Sequence, residues 1–177
     1  MRRVGEDWNG PSLSVQMRAA GVHDADMTKA FRNFVVAREG ALERVAERDP
    51  VTESCKSRTF ERLNVAEFVG LPLKISTWVR NGDSVLYITI PLSALKPYGS
   101  VVPASLLEIL VDACRAVHAR TPLLAAVIGE EALFGAAMLD LWELEKRPKR
   151  GDPGTLVPDS QGKLIWSPDT PISVVGT

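Results

Sequence analysis

One tight turn constrains this chain more than any other feature. In KISTWVRNGDSVLYITIPL, residues 74–92, the pair Asn81-Gly82 separates two runs rich in β-branched and aromatic residues. Asparagine and glycine both tolerate the positive φ that a two-residue hairpin turn demands, so this is the strongest short hairpin signal a sequence can carry. A two-residue turn also sets the register. Arg80 must oppose Asp83, Trp78 must oppose Val85, Ser76 must oppose Tyr87, and Ile75 must oppose Ile88. Side chains alternate across a strand. One face therefore carries Leu73, Ile75, Thr77, Val79, Leu86, Ile88 and Ile90, and belongs to a core. The other carries Lys74, Ser76, Trp78, Arg80, Asp83, Val85, Tyr87 and Thr89, a mixed polar and aromatic surface.

The segments around the hairpin supply the rest of the fold. Leu13, Val15 and Met17 alternate with polar residues over 12–18, the period of a half-buried strand. Met27, Phe31, Phe34, Val35, Ala41, Leu42 and Val45 recur at spacings of three and four. Capped by Asp24 or Asp26, they predict a helix over 25–46 with Lys29, Arg32, Arg38, Glu39, Glu43 and Arg44 in solvent. TFERLNVAEFVGLP, residues 59–72, reads equally as a short helix or an irregular connection, with Phe60, Leu63, Val65 and Phe68 inward. After the hairpin, Pro103 suits a first helical position, and Ser105 with Glu108 matches a capping box. A helix over 103–120 follows, burying Leu107, Leu110, Val111, Cys114 and Val117. LLAAVIG, 123–129, has the texture of a central strand buried on both faces. EEALFGAAMLDLWELEK predicts a last helix over 131–146. Five of the twelve prolines fall beyond residue 147, where 162–166 is the one strand candidate.

The expected architecture is α+β, a two-layer sandwich. A mostly antiparallel sheet of 12–18, 73–80, 84–91 and 123–128 carries the helices on one face. Residues 1–146 form the single domain and 147–177 an extended, Pro/Gly-rich C-terminal arm.

Candidate chemistry is sparse. The charge of −1 gives no global field to draw the protein to nucleic acid or an anionic membrane. KRPKR, 146–150, is the one basic cluster, and it lacks interleaved aromatics. No GxGxxG or GxxxxGK[ST] motif occurs. Cys55 and Cys114 lie too far apart for a paired metal motif, so neither a metal nor another cofactor is expected. With no signal peptide or apolar run of bilayer length, the expected compartment is the cytoplasm. Cys114 and His118, four apart on one helix, could form a nucleophile and base; packing of the thiol in the apolar stripe is the stronger reading. Glu130 and Glu131 follow the LLAAVIG strand, yet adjacent helical residues diverge by about 100°. No catalytic residue is assigned.

What remains is recognition. Trp, Tyr and Arg compose binding hot spots, which makes Trp78, Arg80, Val85 and Tyr87 the candidate partner surface, with Trp166 contributed by the arm. The succession LKISTWVRNGDSVLYITIPL, VPASLLEILVDACRAVHART, PLLAAVIGEEAL resembles the layout of small bacterial immunity proteins of polymorphic toxin systems, over Leu73 to about Leu133. The resemblance is one of architecture and assigns no site residue. It implies a non-enzymatic protein that neutralises a cognate toxin by binding it. Two alternatives stand beside it: an assembly subunit that uses the arm, with its own subunits as partners, and a small hydrolase or transferase using Glu130/Glu131 or Cys114/His118.

Overall fold

A computed structural model describes residues 10–45, 55–130, 150–151, 153–168 and 171–174. Its strands are β1 (Ser12–Ala20), β2 (Ala41–Val45), β3 (Cys55–Val65), β4 (Phe68–Arg80), β5 (Asp83–Pro91), β6 (Leu123–Glu130), β7 (Thr155–Pro158) and β8 (Leu164–Ser167). They form one eight-stranded sheet in the order β2-β3-β4-β5-β1-β6-β7-β8, antiparallel at each junction. Helices α1 (Asp24–Ala37) and α2 (Ala104–Arg120) pack against each other and on one side of it, and a 3-10 segment spans Leu92–Tyr98. The fold is the α+β two-layer arrangement that the sequence predicts.

The hairpin is the one read from Asn81-Gly82. Both residues have positive φ, 50° and 80°. Arg80 opposes Asp83, Trp78 opposes Val85, and Ser76 opposes Tyr87. Its apolar face joins Leu13, Val15 and Met17 of β1, Met27, Phe31 and Val35 of α1, and Leu106, Leu110 and Val117 of α2 in one core. Each such side chain, fully buried, contributes roughly 1.5–3 kcal/mol of hydrophobic free energy. β1 sits between β5 and β6. Its polar positions Ser12, Ser14 and Gln16 are consequently buried on the face away from the helices.

Several sequence expectations need correction. The first helix ends at Ala37, not near residue 46, and Ala41–Val45 is the edge strand β2. Glu39 adopts φ 55° and its N–H donates to the Val36 carbonyl, while the Gly40 N–H donates to the Val35 carbonyl at 3.0 Å. That is the reversed end of a helix with glutamate, instead of glycine, at the left-handed position. The stop was therefore masked by a residue that reads as a helix former. The N-cap is His23 and not Asp24 or Asp26, and no side chain makes a capping bond there. Residues 59–72, expected as a helix or an irregular connection, belong instead to a long hairpin, β3–β4, whose second strand runs on through the expected 73–80 strand. Its turn, Ala66-Glu67, places alanine at φ 34° and carries none of the usual turn residues. In α2, Pro103 is the N-cap itself, and no side-chain cap bond forms, so the Ser105–Glu108 box is not made.

The expected helix over 131–146 and most of KRPKR lie outside the described residues. Within the Pro/Gly-rich stretch, β7 and β8 pair with each other and extend the sheet beyond β6. Ser173 bridges Val101 ahead of α2.

Candidate functional site

Register alone determines the composition of the sheet face opposite the helices. Crossing β3, β4, β5, β1 and β6 at one level are Arg58, Ser76, Tyr87, Gln16 and Val127. One level along are Phe60, Lys74, Thr89, Ser14 and Gly129. On the turn side of the first level, Trp78 opposes Val85, which opposes Arg18.

Trp78 and Tyr87 are diagonal neighbours across the hairpin and meet edge to face, with centroids 5.6 Å apart and planes at 75°. Such pairs contribute roughly 0.5–1.5 kcal/mol beyond their buried area. Both rings are half-buried, while Val85 beside them is buried. The Tyr87 hydroxyl donates to Ser14 Oγ at 3.2 Å, which fixes the phenol over β1. On the turn side, Arg18 Nε donates to Asp83 Oδ2 at 2.7 Å, with a second contact from Nη2 at 2.5 Å. This ion pair ties β1 to the mouth of the hairpin and borders the aromatic pair.

Four of the five expected recognition residues thus share one face: Trp78, Val85 and Tyr87 by side chain, and Arg80 by its register position opposite Asp83. Trp166 does not join them. It pairs with Leu156, whose side chain is in the core, and packs on the helix side of β8. There it closes a groove of about 450 Å³ whose other wall is α2, through Leu107, Glu108, Val111, Asp112 and Arg115. Asp112 within this groove is bound by Arg38 of α1 and lies 3.5 Å from Arg115.

The residues weighed for catalysis are differently placed. Cys114 is wholly buried, and loss of hydration pushes its thiol up to about 12. It is protonated at neutral pH and is no nucleophile. His118 is committed to the backbone at both ring nitrogens. Nδ1 accepts from the Leu123 N–H at 2.9 Å, which leaves Nε2 to donate to the Gly162 carbonyl at 2.7 Å. The imidazole thereby fastens the end of α2 to β6 and to the β7–β8 turn. Glu130 ends β6 half-buried, and Glu131 lies outside the described residues. Among the described residues no cluster of three histidine, cysteine, aspartate or glutamate side chains could hold a metal. No helix among them is long and apolar enough to cross a membrane.

Sequence reading missed the contributions of Ser14, Gln16 and Arg18 from β1 and of Arg58 and Phe60 from β3. The alternation of β1 does show a polar side, but nothing local says which strands flank it. No protein-family model, curated protein or solved structure matches this chain.

Proposed function

We propose that this chain is a non-enzymatic protein-binding protein, and that the sheet face around Trp78 and Tyr87 receives the partner. The observation that supports this is one of sidedness. Both described helices pack on the opposite side of the sheet, yet this face keeps a half-buried Trp–Tyr pair with an apolar valine between and an arginine–aspartate pair at its border. Large aromatics that are partly accessible and ringed by polar groups are the usual anchors of protein interfaces. The resemblance to immunity proteins makes the partner a toxin neutralised by direct binding. Two free, buried cysteines suit the reducing cytoplasm in which such a protein acts.

The alternatives have less support. A subunit that reaches a neighbour through its C-terminal arm needs that arm to leave the domain, whereas β7 and β8 hydrogen-bond within the chain's own sheet. The Cys114/His118 hydrolase needs a thiolate and a free base, and the geometry supports neither.

The test is affinity capture from native lysate with the wild-type chain and Trp78→Ala, quantified by mass spectrometry. Truncating an interface anchor costs on the order of 2 kcal/mol, about thirtyfold in affinity. The expected result is a companion that the wild type retains and the variant loses. Equal retention by both would remove this face from consideration.

A further inference from the structure

Two asparagines of this chain precede glycine, in Asn9-Gly10 and Asn81-Gly82, and only the second pair lies among the described residues. At such a step the glycine amide nitrogen can reach the asparagine side-chain carbonyl carbon and close a five-membered ring. Glycine permits the approach because it has no Cβ to hinder it. In a folded protein the outcome depends on whether the two reacting groups are held elsewhere. At Asn81-Gly82 they are not. Both residues are exposed at the tip of the β4–β5 hairpin. The ladder closes at Arg80 opposite Asp83, which leaves the Gly82 N–H outside the sheet. Among the described residues neither this N–H nor the Asn81 carboxamide has a hydrogen-bond partner. A Cβ built on Gly82 would meet nothing within 4 Å, so the tip is open on that side. The other described asparagines differ. Asn64 Oδ1 accepts from the Gly70 N–H at 2.7 Å, and the next residue is the buried, β-branched Val65. Asn33 lies inside α1 and is followed by Phe34, a residue within the same helix.

We infer that Asn81-Gly82 is a site of spontaneous deamidation and isoaspartate formation, which sets a limit on the lifetime of the hairpin. The Gly82 amide gives its proton to a solvent base, and its nitrogen forms a bond to Asn81 Cγ. The bond from Cγ to the side-chain nitrogen breaks, and that nitrogen takes a proton from water and leaves as ammonia. Water then adds to one of the two ring carbonyls, the bond from that carbon to the Gly82 nitrogen breaks, and the nitrogen regains its proton. Opening on one side gives aspartate, and on the other isoaspartate. Attack requires the Asn81 backbone to rotate away from the left-handed conformation it holds, φ 50°. That is a local motion: the closing Arg80–Asp83 pair must part, and exposed hairpin tips open at free energies well below that of global unfolding.

The two products act differently on the fold. Aspartate keeps the backbone and adds a carboxylate two positions from Asp83. Isoaspartate routes the chain through the side-chain carbon and so adds a methylene to the main chain. A two-residue turn fixes register because its length leaves no slack, and the longer link draws Arg80 and Asp83 out of opposition. Asp83 is also the residue that Arg18 Nε binds at 2.7 Å and that bridges Gly21. The change therefore passes from the tip to β1 and to the border of the Trp78–Tyr87 pair.

The experiment incubates the full chain at pH 8, with and without urea, and follows peptides by mass spectrometry with fragmentation that separates aspartate from isoaspartate and residue 81 from residue 9. The native chain is expected to accumulate both products at Asn81, with isoaspartate in excess. Its rate should lie within about a hundredfold of the rate in urea, the factor of an opening that costs about 2.8 kcal/mol. A native rate further below the urea rate than that would show that the turn shields the pair, and the inference falls. It falls equally if Asn33 or Asn64 converts as fast in the native chain, or if Asn81→Gln, which would have to close a larger ring, releases ammonia at position 81 at the wild-type rate. Asn81→Asp separates charge from chain length: it should melt as the wild type does, while the isoaspartyl chain isolated by chromatography should melt lower. Equal melting of the isoaspartyl and unmodified chains would refute the loss of register. These readouts concern the chain alone, so protection of Asn81 leaves the proposed contact surface standing, and a failed partner capture leaves the deamidation site standing.

Discussion

Replacing Gly40 with alanine tests the joint between α1 and the sheet. An alanine Cβ at this position would lie 2.4 Å from Val65 Cγ1, 2.8 Å from the Val35 carbonyl oxygen and 2.9 Å from the Asn64 carbonyl oxygen. Carbon atoms normally stay about 3.5–4.0 Å apart. Two of the three obstacles are backbone atoms that cannot swing aside. Val35 O accepts the Gly40 N–H, and Asn64 belongs to the β2–β3 ladder opposite Ala41. The third is a β-branched side chain with little freedom about χ1. Overpacking costs about 1–3 kcal/mol, and three simultaneous clashes put Gly40→Ala at the top of that range, about 3 kcal/mol. For a chain of this size the melting temperature should fall by roughly 6–12 °C. The neighbouring substitution should act in the opposite direction. Glu39 has φ 55°, a conformation that disfavours a non-glycine residue by about 1–2 kcal/mol. Glycine also raises the entropy of the unfolded chain, so Glu39→Gly should gain only about 0.5 kcal/mol. Urea denaturation read by circular dichroism gives both values, compared at constant slope. A Gly40→Ala chain within 0.5 kcal/mol of wild type would mean that the 38–40 reversal is not clamped onto Val65, and the reasoning would be wrong.

Arg32 binds the wholly buried carboxylate of Glu61, which also accepts from the Thr59 hydroxyl at 3.0 Å. Removing one partner of a buried pair costs about 3–5 kcal/mol; because Arg32 is itself well exposed, Arg32→Ala should cost nearer 2 kcal/mol in urea melts, and a neutral result would refute the pairing. With its thiol raised to about 12, Cys114 should resist a thiol-specific reagent at pH 8 in the native state and react fully in urea; stoichiometric native labelling of a Cys55→Ser chain would contradict this. Asp159 accepts hydrogen bonds from the Lys163 and Gln161 N–H groups, which hold its carboxyl below the ordinary value. A carboxyl depressed by folding stabilises the β7–β8 turn above its unfolded pKa and loses that contribution as pH falls through the folded value. An NMR titration midpoint at or above that of an ordinary aspartate would disprove it.

Legibility in the sequence followed how local the physics was. The Asn81-Gly82 hairpin could be read to the residue because a two-residue turn leaves no freedom in register. α2 and β6 were legible because their apolar periods run uninterrupted. The long hairpin β3–β4 was not. Its turn is Ala66-Glu67, and Arg58, Glu61 and Arg62 interrupt the alternation that would have marked a strand. Glu61 faces the helices only because Arg32, 29 positions earlier, meets it there. The candidate site was half visible for the same reason. Trp78, Val85 and Tyr87 are neighbours through the turn, while Ser14, Gln16 and Arg58 join them through long-range pairing.

By itself the sequence determined where the chain must reverse tightly, which hairpin side chains are apolar, and that two-sided burial awaited residues 123–129. Those outcomes depend on backbone stereochemistry and solvation within a few residues, which the local order of side chains fixes. The tertiary structure alone decided that helix α1 stops at Ala37, that Trp166 lies on the far side of the sheet from Trp78, and that Ser76 and Thr89 are buried with no hydrogen-bond partner among the described residues. Each of those depends on which distant strand occupies the adjacent place in the sheet, and that choice is made by the whole core at once.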